Sequence, residues 1–563
     1  MENFAEVNDL AQRMANTTED SCQTTVAIQM ASRMGNDPIV AETPQSKGHT
    51  LAKILALASI LAGVSFFAPP ARAQFTTPSA IDCSMYPGAP DMGIQINNCL
   101  AAGPASGAIY DLTRFTSPQM ISTPVVMNKP GVIVSCAITI FQMAGISLTA
   151  NTASWTGCAQ KSTALIESCD IDQFTVTAAY NTISNLALDG DKGKFSGNGI
   201  VLNNTGGQQQ QATISGNLIE GHAYDEILNS GGAYNHIEGN TIQDYGAHAV
   251  EMNGTLFSVI NGNVITGFGD ETGSTIYAHG NCQLSIEWND LIENRAGFPA
   301  IDGQSCGNLK IASNAIIDSP FGTAVTAGGP GEITSNYIGG VTALMVLGGN
   351  GTAANNTLQS NGGDSVILNG ANQYNLSGNF ISLVDTVGGL CGINITGDTL
   401  GVQAVGNAVV LTSMGAADYG ACMTVTGAHM LNNRIDGLSV SGSVSQGQDY
   451  AFFFNNPSAI PTNISNIVSH VSCVHLAACY KRVDPGNNIN IYEDALVGDS
   501  KFDAGAGSVQ DIFMQPILPF AELPSPAGNG SRIYCRDCTS GAVATGGGPG
   551  SMVVRIDGAW KGM

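Results

Sequence analysis

The sequence is poor in charged residues and especially poor in basic ones. Of 563 residues only 11% are charged, and 20 Lys and Arg stand against 44 Asp and Glu, a formal net charge of −24. Nucleic acids and anionic membranes attract basic surfaces, so this balance argues against both as partners. No glycine-rich phosphate loop follows a strand and opens a helix, which leaves nucleotide binding without support.

Long segments with the 3.6-residue spacing of an amphipathic helix are also missing from the middle of the chain. Short runs of Ile, Val, Leu and Thr alternate there with Gly, Asn, Asp and Ser. The chain has 69 Gly and 43% hydrophobic residues, a composition typical of turn-rich β-structure and not of disorder. We therefore expect an all-β fold.

One asparagine recurs in that middle region at intervals of 20 to 32 residues, each time in a similar short phrase such as ISGNLI, IEGNTI or INGNVI. A period in the 20s indicates a solenoid. An Asn at the same place in every coil can bond the Asn above and below it. The pattern predicts a right-handed parallel β-helix with an asparagine ladder, formed by Asn185, Asn217, Asn240, Asn263, Asn289, Asn314, Asn336, Asn356, Asn379, Asn407 and Asn433.

Three segments carry a resemblance to a known family. They are the opening YPGAPDMGIQINNCLAAGPASG, the ladder coils, and the tail RIYCRDC followed by GGGPGSMVVRIDGAW. Over residues 80–563 the chain resembles secreted bacterial right-handed parallel β-helix repeat proteins of the pectin-lyase-like superfamily, seen especially in acidobacterial proteomes. The resemblance implies the fold but no single activity, since the superfamily includes polysaccharide lyases, glycoside hydrolases, epimerases, tailspikes and adhesins. The tail is also similar to terminal modules of tail-fibre-like proteins.

The chain divides into five predicted regions. Residues 1–46 are an extension of uncertain status, and residues 47–73 have the basic start, 14-residue apolar stretch and Ala71-Arg72-Ala73 site of a secretory signal peptide. An uncleaved membrane anchor is the alternative. Residues 74–180 are a cap with irregular first coils, 181–515 the parallel β-helix, and 516–563 a Pro-rich connector with a small β module. We expect a secreted or cell-surface protein.

The cap should contain one short helix. Asp91 is a suitable N-cap residue, and Met92, Ile96, Cys99 and Leu100 after it fall on one helical face. A helix here would cover the open first coil, whose strand edges would otherwise be exposed.

The positions of the cysteines are consistent with export of the protein. Of the 14 cysteines, 13 follow the signal segment, and an oxidising compartment allows disulfides to form. Cys282 and Cys306 are one coil apart and could bridge neighbouring coils. The other candidate pairs are Cys83 with Cys99, Cys391 with Cys422, Cys473 with Cys479 and Cys535 with Cys538, while Cys136, Cys158 and Cys169 leave one thiol over.

Acidic side chains crowd the coils from Asn185 to Asp302. One group lies three or four residues after a ladder Asn, and a second group lies six to eleven residues after it. Paired carboxylates are what glycoside hydrolysis requires, and neighbouring coils supply such pairs. The candidate catalytic residues are Asp225, Asp244, His248, Glu293 and Arg295, and the candidate substrate-binding residues are Asp189, Glu220, Glu251, Asp270 and Glu271. Charged bends that merely face solvent are the competing interpretation.

No specific reaction follows from motifs. The resemblance to pectate-lyase-like enzymes implies an Arg or Lys base beside Ca²⁺ ligands. Asp189-Gly190-Asp191-Lys192, or Asp270 and Glu271 with Arg295, could supply such a set, so calcium is a possible cofactor. The motifs of β-helical polygalacturonases are not intact, and His222, His248 and His279 are more typical of satisfied surface groups.

Two functions therefore remain open. The first is a secreted β-helix that engages an extracellular polysaccharide and cleaves it as a lyase or glycoside hydrolase. The second is a non-catalytic adhesin or tailspike-like rod that binds glycan, as a monomer or homotrimer. The acidic coils favour the first, and the absent motifs and fibre-like tail favour the second.

Overall fold

The computed structural model describes residues 80–493 and six later strands. Within 80–493 it leaves out Ser117 and residues 159–162, 204–208, 268–270, 293–296, 386–387, 414–416, 427–429, 443–448, 457–465 and 484–489. The proposed extension, signal segment and Pro-rich connector lie largely outside the described residues, as does the Cys535–Cys538 pair.

The described chain is a parallel β-helix, as expected from the repeat. Each full coil gives one strand to each of three stacks, and every strand pairs in parallel with its equivalent one coil away. The first stack has 18 strands: Ala80–Asp82, Ala108–Asp111, Gly131–Val134, Ala153–Thr156, Thr182–Ser184, Thr213–Ser215, His236–Glu238, Ser258–Asn261, Gln283–Glu287, Asn308–Ala312, Gly331–Thr334, Gly351–Ala354, Tyr374–Ser377, Gln403–Val405, Arg434–Asp436, Ile467–Ser469, Asn490–Glu493 and Ile512–Met514.

The second and third stacks form one 29-stranded sheet, because the long strands Ala315–Ala327 and Tyr337–Leu347 run through both. The other strands of the second stack are Gln119–Ile121, Thr139–Gln142, Thr163–Glu167, Leu186–Asp189, Leu218–Glu220, Thr241–Gln243, Val264–Thr266, Asp290–Ile292, Thr357–Asn361, Phe380–Asp385, Ala408–Ser413, Ser439–Ser441 and Ser472–Val474. Those of the third are Val125–Met127, Ile146–Leu148, Phe174–Val176, Ile200–Asn203, Ile227–Ser230, Val250–Asn253, Ile276–His279, Ile301–Gly303, Val366–Asn369, Cys391–Thr396, Tyr419–Thr424, Tyr450–Asn455, Ala478–Val483 and Phe502–Ala504.

Two small sheets complete the strands. Thr399–Leu400 pairs with Met430–Leu431, and a four-stranded sheet near the C-terminus joins Ile517–Leu518, Arg532–Cys535, Ser551–Ile556 and Ala559–Gly562. The described helices are a 3-10 turn at Cys83–Met85 and an α-helix at Met92–Ala102. Parallel pairing begins at Ala80–Asp82, well before the first ladder asparagine.

The predicted asparagine ladder lies at the corner between the first and second stacks. In every ladder coil but the last, the Asn backbone N–H and side-chain Nδ2 both donate to Oδ1 of the next Asn, at 2.9–3.0 Å. All members are at least 98% buried. The residue before each one has a φ of 57–64°, which Gly or Asn accepts most easily. The ladder contains nine residues: Asn217, Asn240, Asn263, Asn289, Asn314, Asn336, Asn356, Asn379 and Asn407.

Two predicted members were wrong. Asn185 takes the left-handed position before the ladder site, with φ 57°, and Leu186 stands at the site itself and donates its N–H to Asn217. Asn433 lies at the other end of a first-stack strand, where it bonds Asn466. Both corners have the same local sequence, a left-handed residue and then Asn, so the repeat alone does not separate them.

The core is the inside of the coil, filled by one apolar column from each stack. In the second stack Ile219, Ile242 and Ile265 follow one another in register and are fully buried. Side chains alternate inward and outward along each strand, so the residues between them reach the outer face. The positions of functional groups on that face are therefore fixed by the same strand register that places the core residues.

The helix Met92–Ala102 covers the first coil, as predicted. Asp91 caps it by accepting the Gly93 N–H at 2.8 Å and also binds Ser122 and Thr123 of the coil beneath. Its predicted apolar face is buried. Lys129 donates to three carbonyl oxygens at the helix C-terminus, which stabilises that end.

Five disulfides are present in the described chain. Four are the predicted pairs Cys83–Cys99, Cys282–Cys306, Cys391–Cys422 and Cys473–Cys479, and the fifth joins Cys136 to Cys158. Cys169 is also disulfide-bonded, so the predicted spare thiol is not found among these residues. No helix in the described part is both long and apolar enough to cross a bilayer.

Asn289→Ala should lower the stability of the coil strongly. Asn289 donates through Nδ2 to Asn314 and to two carbonyl groups, and it accepts two hydrogen bonds from Asn263. Truncation leaves these buried groups without partners, at a cost of about 3 kcal/mol. Thermal and urea unfolding of the variant measure the loss. The exposed Asn308→Ala serves as the control, and an equal effect of the two substitutions would contradict the role of the ladder.

Candidate functional site

The candidate site lies where the second stack turns into the third. In successive coils this turn is formed by residues 221–226 and 244–249. Asp225 and His248 occupy equivalent positions, because Ile227 and Val250 two residues later are in register. Stacking therefore places an acid directly beside a histidine.

Asp225, His248 and Glu251 form the centre of the site. Each offers a side-chain atom within 4.8 Å of the other two. The carboxyl groups of Asp225 and Glu251 are hydrogen-bonded to each other, which requires a proton between them. Burial and the Glu251 charge together raise the pKa of Asp225 to about 8, so this acid is protonated at neutral pH. Its Oδ1 also accepts the His248 N–H at 3.2 Å.

His248 and His279 orient the side chains of the site. Nδ1 of His248 lies 2.7 Å from the Ser274 carbonyl oxygen, so Nδ1 carries the proton and Nε2 is left as an acceptor. Burial lowers the pKa of His248, which keeps it neutral. His279 Nε2 contacts Glu251 Oε1 at 2.8 Å. The Tyr277 ring stacks on both imidazoles, with centroid distances of 4.9 and 4.3 Å.

Asp302 joins the same face two coils away from Glu251. Glu251, Tyr277 and Asp302 are in register on the outer side of the third stack. Burial raises the pKa of Asp302, and the fields of His248 and His279 partly oppose this rise. Asp302 was not among the predicted site residues. Its signal was the spacing of 26 and 25 residues, which matches that of the ladder in these coils.

A second polar group is buried directly behind the centre. Nδ1 of His222 is ion-paired with Glu226, and Nε2 contacts Gln173 Oε1 at 3.0 Å. Gln173 is held in that orientation because its Nε2 donates to two backbone carbonyls. Burial by itself would lower the pKa of His222, but the Glu226 and Glu167 carboxylates raise it above its usual value. Both ring nitrogens then donate, as an imidazolium requires.

His222 is therefore not the surface group that the sequence suggested. His222, Glu226 and Glu167 are all fully buried. Burial is the main reason that the pKa of Glu167 is raised to about 8, and the charge of His222 partly opposes this rise. Gln173 and Glu167 lie before the first ladder coil. The repeat pattern therefore did not predict where their side chains would lie.

A third group, the Lys192 group, lies at the end of the second-stack strands. Asp189 and Glu220 are in register there, and Gln243 donates to Glu220. Lys192 Nζ lies 2.5 Å from Asp244 Oδ1. Burial raises the pKa of Glu220. This lysine ties Asp244 to the edge of the coil and away from the Asp225 pair.

The predicted site residues thus separate into two groups. Asp225, His248 and Glu251 are brought together, and Asp189, Glu220 and Asp244 form the Lys192 group. Glu271 is buried near Tyr245. Asp270, Glu293 and Arg295 lie outside the described residues. The two groups correspond to the two predicted distances after a ladder Asn, and the candidate catalytic set combined members of both.

The central three residues have the donor types for a divalent cation. An imidazole nitrogen and two carboxylate oxygens would suit a transition ion better than Ca²⁺, which takes oxygen ligands. The residues from Asp189 to Lys192 that were predicted to bind calcium instead form contacts with neighbouring protein groups. Asp191 binds Lys194 at 2.8 Å and Lys192 binds Asp244.

Comparison with known proteins identifies the fold. Residues 165–338 match the family described as right handed beta helix region, which agrees with the expected handedness of the coil. Curated proteins gave no match. Similar solved structures include the A-module of the mannuronan C-5 epimerase AlgE6 from Azotobacter vinelandii, with 12% identity, TM-score 0.34, and coverage of 70% of this chain and 98% of that one.

Two further solved structures have similar statistics. The Dettilon tailspike protein has 13% identity, a TM-score of 0.36, and coverage of 69% of this chain and 70% of that one. An alginate lyase from Paenibacillus sp. str. FPU-7 has 12% identity, a TM-score of 0.24, and coverage of 67% and 98%. Likenesses this distant carry no information on activity.

His222→Gln should reduce stability in a pH-dependent way. Because the folded-state pKa of His222 is raised above the unfolded value, its ion pair stabilises the fold fully below about pH 6.5. That contribution is lost as the pH rises through the folded-state pKa. The gap in unfolding free energy between wild type and variant should therefore narrow toward alkaline pH. Urea unfolding across pH tests this, with the exposed His236→Gln as control, and a gap that stays constant would contradict it.

Proposed function

We propose that this protein cleaves glycosidic bonds of an extracellular polysaccharide by hydrolysis, at the outer face of the third stack. The observation that carries the proposal is the hydrogen-bonded carboxyl pair of Asp225 and Glu251. One of two carboxyl groups in such contact must keep its proton at neutral pH. A protonated acid beside an open face is the group that a glycosidic leaving oxygen needs.

Asp225 is the proposed general acid and Asp302 the proposed base. Glu251 is too close to Asp225 for a water or a covalent sugar to sit between them. Asp302 is two coils from Glu251, a separation of about 10 Å along the stack. Asp225 belongs to the coil before Glu251, but its carboxyl group reaches the His248 N–H and the Glu251 carboxyl of the next coil. Measured from there, the acid and the base are about 10 Å apart, near the upper limit for an inverting hydrolase, in which water attacks from the face opposite the acid.

Glu251 and the histidines have supporting roles in this scheme. Glu251 keeps Asp225 protonated, and His279 fixes Glu251. The Nε2 atom of His248 can accept a hydrogen bond from a sugar hydroxyl, since its other nitrogen is held by Ser274. The Lys192 group would border the bound chain without touching the reacting bond.

Charge favours a neutral or basic glycan over a polyuronate. The net charge is −24, and the described residues around Asp225 carry more acids than bases. A polyanion would be repelled unless cations screened the contact. β-Elimination, which begins next to a uronate carboxylate, is accordingly the less favoured reaction.

A non-catalytic glycan-binding rod is the second candidate. It is favoured by exposed aromatic rings at the corner before the first stack, where Tyr234 and Phe257 stack at 5.1 Å and are 36% and 54% exposed. Aromatic surfaces of this kind contact ligands with apolar faces. Such a protein would bind glycan and release no product.

Asp225→Asn should reduce kcat/KM by at least about 100-fold, because an amide cannot donate the proton. Asp244→Asn should change it little, since Asp244 is bound to Lys192 at the coil edge. Release of reducing ends from a panel of plant and bacterial polysaccharides measures both. Full activity of Asp225→Asn would remove the proposed acid, and binding without turnover by the wild type would favour the rod.

Glu251→Gln should shift the alkaline limb of the pH–activity profile. In the wild type that limb should lie near pH 8, where Asp225 loses its proton. Replacing Glu251 by a neutral residue removes the like charge that raises the pKa of Asp225, so activity should begin to fall at lower pH. Profiles of kcat/KM for the two proteins test this. An unchanged limb would show that Asp225 is not the titrating acid.

A further inference from the structure

Large hydrophobic side chains are exposed on the outer face of the second stack, in the middle coils. The two ends of a three-residue strand there point outward, while its central side chain fills the core. Single exposed hydrophobic residues are ordinary, but several on one face indicate a binding surface. We name this surface the aromatic face. Its large hydrophobic members, between 39% and 66% exposed, are Trp288 at the adjoining ladder corner and Val264, Ile317, Tyr337 and Phe380 on the strands.

Trp288 has a backbone conformation that does not suit its side chain. It directly precedes the ladder Asn289 and has a φ of 57°. The equivalent residues of the other ladder coils are Gly, Asn or Ser. A large aromatic residue is uncommon in this left-handed region, where it lowers stability. Burial returns little of that cost, because Trp288 is 66% exposed. Its conformation therefore points to recognition and not to folding.

One exposed ring stands in every second coil of the aromatic face. Trp288 comes directly before the ladder Asn289. Tyr337 comes directly after the ladder Asn two coils later, and Phe380 after the one two coils further on. The small residue Thr357 separates Tyr337 from Phe380 in register. Two coil steps are about 10 Å, so the rings offer contacts at that interval along the tube.

The polar groups between the rings are uncharged. Gln359 stands in the coil between Tyr337 and Phe380, and its Oε1 accepts a hydrogen bond from the Tyr337 hydroxyl at 2.8 Å. Among the outward side chains that the structure describes on second-stack strands from 264 to 412, Asp290 alone is charged. Amides and hydroxyls bond to hydroxyl groups of a ligand, and aromatic rings contact its apolar surfaces. The aromatic face therefore suits an uncharged ligand that has both kinds of surface.

We propose that the aromatic face binds one uncharged, extended polysaccharide chain of β-1,4-linked sugars with equatorial hydroxyl groups, laid parallel to the tube axis. Equatorial hydroxyls leave flat C–H faces on each sugar, and these faces stack on aromatic rings. Alternate sugars of such a chain present the same face. Two sugars have about the length of two coil steps, so Trp288, Tyr337 and Phe380 each meet an equivalent sugar.

A second copy of this chain is the competing occupant, and charge argues against it. Each copy carries a formal net charge of −24, so two copies repel each other. A neutral glycan brings no such repulsion. The aromatic face lies on a different stack from Asp225 and Glu251, so the proposal goes beyond the proposed hydrolysis and holds with or without it.

Isothermal titration calorimetry of the full chain with cellohexaose tests the aromatic face. The wild type should bind cellohexaose at least about tenfold more tightly than maltohexaose, whose α-1,4 links curve the chain away from a straight row of rings. Trp288→Gly should weaken cellohexaose binding by at least about tenfold, since it removes the most exposed ring. Its Tm should not fall below that of the wild type, because glycine accepts a φ of 57° without strain.

Phe257→Ala is the matched control. Phe257 is 54% exposed and also left-handed, but it lies at the corner before the first stack, so this variant should bind cellohexaose like the wild type. Phe380→Ser is a second test on the aromatic face itself and should also weaken binding. Asp225→Asn should lose turnover and keep cellohexaose binding, so a failure of the proposed hydrolysis and a failure of this proposal are separate results.

Wild-type binding too weak to measure would overturn the proposal, as would full affinity in both Trp288→Gly and Phe380→Ser. Loss of affinity in Phe257→Ala would overturn it by placing the ligand at the other corner. A large fall in the Tm of Trp288→Gly would show that the ring is structural. A wild-type oligomer that dissociates in Trp288→Gly, measured by size exclusion with light scattering, would show that a second copy covers the aromatic face instead.

Discussion

The hydrogen bond from each ladder asparagine to the next is the interaction on which the rest of the structure depends. It fixes the corner between the first and second stacks at one place in nine successive coils. Because the side-chain period of a strand is two, a slip of one residue at that corner would turn the apolar columns outward. The ladder thus sets the register of the core and of the outer face together.

The candidate site is a consequence of this register. Asp225 meets His248 because their turns are equivalent in neighbouring coils, and Glu251 and Asp302 share a face because their strands are two steps apart. No segment of the chain contains the site by itself. The buried His222–Glu226 pair then supports the turn from behind, since Glu226 follows Asp225 directly in the chain.

The sequence repeat made most of the fold predictable. Local variation between coils limited how much of the site could be predicted. The ladder and the capping helix followed from spacing and N-cap chemistry, and the Cys282–Cys306 disulfide followed from a one-coil separation. Asn433 was misplaced because a second corner also has a left-handed residue followed by Asn, and Asn185 because it takes the left-handed position one residue before the ladder site. Burial of His222 depends on contacts across coils, which no linear spacing encodes. Asp302 was missed although its separations of 25 and 51 residues from Tyr277 and Glu251 match the ladder intervals of these coils.

The most direct test of the central claim, that in-register stacking at the asparagine corner organises the molecule, is hydrogen–deuterium exchange followed by mass spectrometry. Amides at the corners from Asn217 to Asn379 are donated to buried side chains of the next coil, so peptides that contain them should exchange among the slowest in the chain. Peptides from exposed turns, such as the one at 104–106, should exchange faster. Corner peptides that exchange as fast as these turns would contradict the account.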